Sequence, residues 1–246
     1  MIKLALFGAG RIGKIHGHNV ALNPQAELVA LHDPYQVNAD HLSAALGCTQ
    51  MTPEQIFSDP SITGILVCSA TDTHADLIEQ AVLAGKHVFC EKPIDLSLAR
   101  VQQVVEKVNA SPITTMLAFN RRFDSNFALL QQRIAAGEIG DVELVSIISK
   151  DPSPPPVDYI KVSGGLFRDM TIHDFDMARF LLAEEVVQVT AQASCLVDPA
   201  IGLAGDVDTA LVTLSTASGK LAQISNSRRA SFGYDQRFEV HGSKGM

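Results

Sequence analysis

The chain has 246 residues, of which 46% are hydrophobic, and its formal net charge is −8 at pH 7. This length fits one large domain or two smaller ones, and the composition supplies enough apolar side chains for a sizeable core. Because no surplus of Lys and Arg exists to neutralise phosphates, the charge argues against a nucleic-acid or anionic-membrane partner.

In the first half of the chain, apolar runs alternate with amphipathic stretches. The predicted strands are Ile2 to Phe7, Ala26 to His32, Ile62 to Cys68, Lys86 to Cys90 and Ile113 to Phe119. The predicted helices are Arg11 to Leu22, Gln36 to Leu46, Thr73 to Ala84 and Leu98 to Val108. This alternation is typical of βαβ units with right-handed crossovers, so we expect an α/β domain with a doubly wound parallel sheet of the Rossmann type.

The pattern changes near residue 120, where we place a domain boundary, giving domains 1–120 and 121–246. A helix at Ser125 to Ala136 and a strand at Val142 to Ile148 are followed by a proline-rich loop and another helix. The later runs predict strands joined by short turns: Val186 to Val197, Thr209 to Ser215, Lys220 to Ser225 and Arg237 to Val240. We therefore expect an α+β second domain with a mostly antiparallel open sheet. Because the chain ends just after a strand, we expect the C-terminal part of this domain to be missing.

The cysteines favour reduced thiols. Cys48, Cys68, Cys90 and Cys195 form no C-x-x-C pair, and no His lies at metal-ligand spacing from them. The first apolar run is too short for a membrane span. We therefore expect a cytoplasmic protein with no bound metal.

A glycine-rich turn follows the first strand. Gly8, Gly10 and Gly13 form a G-x-G-x-x-G motif that opens a helix inside a βαβ unit. In this context the motif predicts a dinucleotide site, with the pyrophosphate at the helix N-terminus. The alternative is a glycine-rich turn that binds nothing.

Asp33 ends the second strand, 20 residues after Gly13. A carboxylate at this position accepts hydrogen bonds from the adenosine ribose and repels a 2′-phosphate. No Lys or Arg occurs between Lys14 and Lys86 to neutralise such a phosphate, and Arg11 is the nearby candidate cation. We therefore expect NAD as the cofactor, bound by Gly8, Gly10, Arg11, Ile12, Gly13, Asp33, Ser69, Thr71, His74, Glu91 and Lys92. For His74, a plain helix-start role is the equal alternative.

Two further motifs carry the expected chemistry. Lys92 lies in a Glu-Lys-Pro turn at the end of a strand, where its ammonium could stabilise developing alkoxide charge; the alternative is a solvated Lys paired with Glu91. Asp169 and His173 are four residues apart in a predicted helix, which places both on one face. A carboxylate beside an imidazole suits proton transfer near neutral pH, although an ordinary surface pair is the alternative.

The segments GAGRIG, EKP and GGLFRDMTIHDFD together resemble the Gfo/Idh/MocA oxidoreductases. The segments AFNRRFDSNF, DPSPPPVDYIKVSGGLFRDM and SNSRRASFGYDQRFEVHGSKGM are similar to those of the bacterial inositol 2-dehydrogenase branch. The resemblance covers essentially the whole chain. It implies NAD-dependent oxidation of myo-inositol to 2-keto-myo-inositol.

The resemblance also implies roles for individual residues. His173 would be the general base, Asp169 its partner and Lys92 a ligand of the reacting hydroxyl, so these three are the expected catalytic residues. The substrate would be bound by Lys92, Arg122, Asp151, Asp169, His173 and Tyr234. Asp176 fits the family's helix pattern and could serve only as a brace.

Three alternatives stay open at this point. The first is an NAD(P)-dependent dehydrogenase of another inositol isomer or of a sugar, such as scyllo-inositol or an aldose. The second is a non-catalytic regulator that senses NAD or a sugar, and the third is an inactive fragment. Because family members are commonly tetramers built through the second-domain sheet, the resemblance also implies a homo-oligomer.

Overall fold

The computed structural model describes residues 1–246, which divide into two compact units, Met1–Ala118 and Phe119–Met246. Each unit is built on a β-sheet of its own. No helix in the chain combines the length and the apolar character that crossing a membrane requires.

The first unit contains a six-stranded parallel sheet in the order β3-β2-β1-β4-β5-β6. Its strands are β1 (Ile2–Phe7), β2 (Ala26–His32), β3 (Thr49–Gln50), β4 (Gly64–Val67), β5 (His87–Cys90) and β6 (Thr115–Leu117). All four residues of β4 are buried, as expected for a central strand covered on both faces. This order confirms the doubly wound Rossmann prediction.

Five helices cover the two faces of this sheet. They are α1 (Arg11–Ala21), α2 (Gln36–Leu46), α3 (Pro53–Ser58), α4 (His74–Ala84) and α5 (Leu98–Asn109), with a 3₁₀ segment at Thr71–Thr73. The short elements β3 and α3 were not expected from the sequence. A capping box explains α3, because the Thr52 hydroxyl accepts the Gln55 N–H while the Gln55 side chain accepts the Thr52 N–H.

Alternate residues of the first sheet supply two separate cores. Ala5, Phe7, Ile65 and Val67 belong to one buried cluster, and Leu6, Leu31 and Leu66 belong to another. Because successive side chains of a strand point to opposite faces, each strand contributes to both clusters. The sheet is therefore held from both sides, and its carboxyl ends open onto the loops that carry the cofactor motifs.

The second unit contains a five-stranded mixed sheet in the order β11-β7-β10-β9-β8. Its strands are β7 (Val142–Lys150), β8 (Val186–Ser194), β9 (Thr209–Thr216), β10 (Leu221–Ser227) and β11 (Asp235–Gly242). Only β7 and β10 pair in parallel, and the other three neighbouring pairs are antiparallel. The prediction of a mostly antiparallel sheet in a second, α+β domain is confirmed.

The helices of the second unit are α6 (Ser125–Ala135), α7 (Val157–Ser163), α8 (Ile172–Leu182) and α9 (Pro199–Leu203), with a 3₁₀ segment at Asn120–Phe123. A π-helical segment, Phe167–Thr171, leads directly into α8. The buried face of α8, including Met177 and Leu181, packs with Val145, Val212 and Ile224 of the sheet. Helix α8 is thus anchored by its apolar face, with its first turn beside the ends of β7 and β10.

Candidate functional site

The glycine turn between β1 and α1 is sterically restricted to glycine at two positions. Gly8 has φ +93°, and a Cβ there would lie 2.5 Å from the Cys68 carbonyl oxygen. A Cβ on Gly13 would lie 1.9 Å from the Gly8 carbonyl oxygen. Both positions therefore need glycine for the turn and for the close approach of α1 to β1.

Gly10 differs from its two neighbours in the motif. It caps the N-terminus of α1, yet a Cβ placed on it would meet no atom within 4 Å. Packing within the chain therefore does not require glycine at this position. The lack of a side chain leaves open space beside the first amides of the helix, those of Arg11 and Ile12. The first turn carries no acidic residue. This geometry fits the pyrophosphate of a dinucleotide, which accepts hydrogen bonds from such amides.

Asp33 lies directly after β2 and braces the glycine turn. Its Oδ2 accepts the Ala9 N–H at 2.6 Å, and its Oδ1 accepts the Tyr35 N–H at 2.8 Å. A carboxylate has about four lone-pair sites, so each oxygen keeps capacity to accept a ribose hydroxyl. The structure therefore gives Asp33 a contact with the phosphate-binding turn that the sequence pattern did not indicate.

The loop after β4 contains the other expected cofactor residues. The Ser69 hydroxyl lies 2.6 Å from that of Thr73, and Thr71 begins the 3₁₀ segment. His74 is 1% exposed; its Nδ1 lies 2.8 Å from the Pro93 carbonyl oxygen and its Nε2 lies 3.1 Å from that of Ser69. Both ring nitrogens thus contact backbone carbonyls of two loops, which favours the helix-start alternative, while a cofactor role of His74 stays a prediction.

The Glu-Lys-Pro turn follows β5. Glu91 Oε1 lies 2.7 Å from His16 Nε2 on α1, and the His16 ring packs edge-on against Phe89. The Lys92–Pro93 peptide bond is cis. Glu91 thus links the turn that carries Lys92 to α1, the helix that the dinucleotide motif opens. His16 was missed at the sequence level, because nothing in a helical His predicts a partner 75 residues away.

The sequence predicted that Asp169 and His173 share one regular α-helix, and the structure corrects this prediction. Asp169 lies in the π-helical segment, and His173 is the second residue of α8. Single π-turns occur frequently at functional sites, where they redirect side chains. The His173 ring packs edge-on against Phe119, with centroids 6.3 Å apart.

The Asp169 carboxylate is held by two other elements. Its Oδ1 accepts the Tyr159 hydroxyl of α7 at 3.0 Å, and its Oδ2 accepts Arg228 Nη2 at 3.2 Å. Arg228 also donates from Nη1 to Asp151 Oδ2 at 3.3 Å. Burial raises the pKa of Asp151, and the Arg228 guanidinium opposes that shift. The structure thus brings Asp151 and Asp169 together on the Arg228 guanidinium and adds Tyr159, while substrate binding by the two carboxylates stays a prediction.

Arg122 is engaged within its own unit. Its Nε and Nη2 each donate to Asp176 at 2.7 Å, and its guanidinium lies over the Phe180 ring, 4.7 Å from the centroid. This bidentate pair supports the interpretation of Asp176 as a brace and leaves Arg122 in a fixed position. Tyr234 lies 69% exposed in the loop before β11.

A buried polar network fixes the start of α8. Arg121 donates to Asp174, whose other oxygen accepts Asn226 Nδ2 at 2.8 Å, and Arg121 also donates to Ser149. Asn226 in turn accepts the Thr171 hydroxyl at 2.8 Å. Burial raises the pKa of Asp174 despite the adjacent guanidinium. The network joins β7, β10 and α8 around the residue next to His173.

The side chains form no group of three or more His, Cys, Asp or Glu that could hold a metal ion. The four cysteines are free. Burial raises the pKa of the Cys68 thiol to about 12, so it stays protonated near neutral pH.

Comparison with known families matches both units. A model described as "Oxidoreductase family, NAD-binding Rossmann fold" covers residues 2–119, and one described as "GFO/IDH/MocA C-terminal domain" covers residues 127–246. The chain belongs to the GFO/IDH/MocA oxidoreductase family. The family resemblance and the expectation of NAD as cofactor are therefore confirmed.

Relatives of this GFO/IDH/MocA chain include named inositol dehydrogenases. It is 56% identical over 244 residues to the inositol 2-dehydrogenase of Rhizobium meliloti, covering 99% of this chain and 74% of the relative. It is 48% identical over 246 residues to the myo-inositol 2-dehydrogenase of Thermotoga maritima, again covering 99% and 74%.

Solved structures of the family superpose closely on this chain. A myo-inositol dehydrogenase from Corynebacterium glutamicum matches with a TM-score of 0.95 and 48% identity, over 100% of this chain and 74% of that one. A scyllo-inositol dehydrogenase from Lactobacillus casei, solved with bound NAD(H) and scyllo-inositol, matches with a TM-score of 0.90 and 31% identity, over 100% and 75%. This chain thus shares its fold with both structures, one of which was solved with NAD(H) bound.

Proposed function

We propose that this chain catalyses the NAD-dependent oxidation of myo-inositol to 2-keto-myo-inositol. The observation that carries the proposal is the 56% identity, along 99% of the chain, with an enzyme named inositol 2-dehydrogenase. The arrangement of Asp151, Asp169 and Arg228 supports it, because paired carboxylates are good acceptors for the hydroxyl groups of a polyol.

In this proposal the cofactor is held by the first unit. The amides at the start of α1 bind the pyrophosphate, and the spare lone pairs of Asp33 accept the ribose hydroxyls. Ser69, Thr71, Glu91 and Lys92 lie in loops that follow β4 and β5, at the carboxyl end of the sheet. Bound NAD⁺ supplies the acceptor for the hydride that leaves the substrate carbon.

The proton leaves by a separate route. We assign His173 as the general base that takes the proton of the reacting hydroxyl. The carbon that bears this hydroxyl loses its hydride to NAD⁺ and becomes a carbonyl carbon. Lys92 donates a hydrogen bond to the same oxygen and stabilises the charge that develops on it. Asp169 orients the base, and Asp151, Arg122 and Tyr234 are assigned to the remaining polyol hydroxyls.

The test is NADH formation by the whole chain with myo-inositol, scyllo-inositol and aldoses as alternative substrates. We expect myo-inositol to have the highest kcat/KM. His173→Ala should lower kcat by about 10²- to 10⁴-fold, the usual contribution of a general base, with the Kd for NAD unchanged. The matched control is His241→Ala, which removes an exposed histidine of β11 that pairs with Glu239.

Three results would speak against this assignment. Wild-type turnover in His173→Ala would contradict the assignment of His173 as general base. A higher kcat/KM for scyllo-inositol or an aldose would contradict the assignment of myo-inositol as the substrate. The scyllo-inositol 2-dehydrogenase (NAD(+)) of Bacillus subtilis is 36% identical to this chain, which makes that isomer the second candidate. No NADH with any polyol contradicts the dehydrogenase activity itself.

We further propose a cytoplasmic homo-oligomer. The four free cysteines, two of them with thiols shielded by burial, suit a reducing compartment. The sheet of the second unit leaves one face uncovered within the chain, and aliphatic side chains such as Leu211 and Leu221 are exposed there. A second copy would bury them.

A further inference from the structure

Arg228 is the most buried cationic residue of the chain, and no step of the proposed mechanism uses it. It directly follows β10, and its side chain is 3% exposed. Its two terminal nitrogens diverge to two carboxylates, Nη1 to Asp151 Oδ2 at 3.3 Å and Nη2 to Asp169 Oδ2 at 3.2 Å. One guanidinium therefore joins the end of β7 to the π-helical segment before α8.

The backbone fixes where this guanidinium begins. Ser227 pairs with Lys150 in the parallel β7–β10 ladder, and the Asp151 N–H donates to the Ser227 carbonyl at 3.0 Å. The Arg228 N–H donates to the Asp208 carbonyl at 2.8 Å. Strand register thus places Arg228 and Asp151 side by side. The planar fork of an arginine can then reach a second carboxylate in a defined direction, which a lysine cannot do.

We propose that Arg228 is a positioning residue that holds Asp151 and Asp169 as a pair of anionic acceptors for the polyol substrate. This inference rests on the proposed dehydrogenase function and deepens it. A shared buried cation favours the ionised form of two carboxylates and fixes the spacing between them. Tyr159 completes the arrangement by donating to the other oxygen of Asp169.

The charge balance around the pair indicates what the loss of Arg228 would do. The ionisable groups around the Arg228 guanidinium are Asp151, Asp169 and Tyr159. His173 follows Asp169 by four residues. Arg121 pairs with Asp174 and also acts on Asp151, whereas Arg228 donates directly to both Asp151 and Asp169. Without it, two partly buried carboxylates would repel each other, and one would take up a proton at a higher pH.

The experiment compares Arg228→Gln and Arg228→Lys with Arg229→Gln. Arg229 is the exposed neighbour and provides a matched control for loss of one arginine. The readouts are kcat and KM for myo-inositol across pH, the Kd for NAD, and a ¹³C-carboxyl NMR titration of Asp151. The Kd for NAD reports whether the variant chain is folded and competent in its first unit.

For Arg228→Gln we expect kcat/KM for myo-inositol to fall about 10- to 100-fold, the factor that matches loss of one charge-assisted hydrogen bond. The acidic limb of its pH profile and the Asp151 titration should both move to higher pH. Arg228→Lys should return the acidic limb to its wild-type pH but keep a raised KM, because a lysine retains the positive charge and lacks the planar guanidinium. Arg229→Gln should behave as the wild type.

An unchanged Asp151 titration and pH profile in Arg228→Gln would overturn the inference, whatever the loss of turnover. The titration does not depend on activity. A wild-type chain that oxidises no polyol would therefore refute the proposed function, while the titration would still decide whether Arg228 holds the carboxylates.

Discussion

At the scale of single residues, the role of each acidic side chain depends on the donors around it. Asp33 accepts two backbone N–H groups and keeps lone pairs for a ligand, whereas Asp169 is held by Tyr159 and a buried arginine. The sequence spacing predicted both carboxylates as candidate site residues. It could not identify their donors, because Arg228 is 59 residues from Asp169 and meets it only through the sheet.

Asp33 gives a prediction about cofactor choice. Asp33→Ser should lower kcat/KM for NAD by about 10- to 100-fold, because it removes charge-assisted hydrogen bonds. The value for NADP should fall less or rise, since the 2′-phosphate no longer meets a carboxylate. Steady-state kinetics with both cofactors measures the ratio.

Two variants serve as controls for Asp33→Ser. Asp33→Asn keeps a hydrogen-bond acceptor without the charge and should shift the ratio of NAD to NADP kinetics in the same direction but less. Asp40→Ser alters an exposed aspartate of α2 and should leave the ratio unchanged. An unaltered ratio in Asp33→Ser would remove Asp33 from cofactor discrimination.

At the scale of elements, the alternation of apolar and amphipathic runs and the glycine spacing were sufficient to predict a doubly wound parallel sheet and the α1 turn. The steric demands at Gly8 and Gly13 are local, so they can be read from the motif. The π-helical segment could not be predicted, because a shift from i+4 to i+5 hydrogen bonding leaves the residue pattern unchanged. The short elements β3 and α3 depend on an edge pairing and a capping box rather than on hydrophobic period.

The buried network at the start of α8 predicts a large stability effect. Asp174 is 0% exposed and pairs with Arg121, which is itself buried. Asp174→Ala should lower the free energy of unfolding by about 3–5 kcal/mol, because it leaves a buried guanidinium uncompensated. Urea unfolding followed by circular dichroism measures this change. Asp158→Ala, at a 94% exposed side chain, should change it little.

The physical cause of that loss can be isolated with a double variant. Arg121→Met combined with Asp174→Leu removes both charges and should recover much of the stability, since apolar replacements of a buried ion pair are often neutral. A double variant as unstable as Asp174→Ala would show that packing around α8, and not the unpaired charge, accounts for the loss.

At the scale of the whole molecule, the two faces of the second sheet differ in what covers them within the chain. Alternate residues of β9, such as Val212 and Leu214, pack in the core with α8, while Leu211 between them is 52% exposed. Leu221 of β10, on the same open face, is 44% exposed. The chain spans 74% of the length of its inositol 2-dehydrogenase relatives from Rhizobium meliloti and Thermotoga maritima. Whether a second copy covers this face is therefore measured on this chain itself.

If a second copy covers this face, Leu211→Lys combined with Leu221→Lys should convert the oligomer to monomer, because each ammonium would be desolvated at the contact. Sedimentation velocity over a range of protein concentrations measures the change, and circular dichroism checks that the fold is kept. Leu83→Lys, at an 88% exposed leucine of α4, is the matched control and should leave the oligomer intact. A wild-type chain that stays monomeric at every concentration, or a double variant that still associates, would place the interface elsewhere or rule it out. The exposed leucines of the open face would then be as ordinary as the scattered apolar side chains found on most protein surfaces.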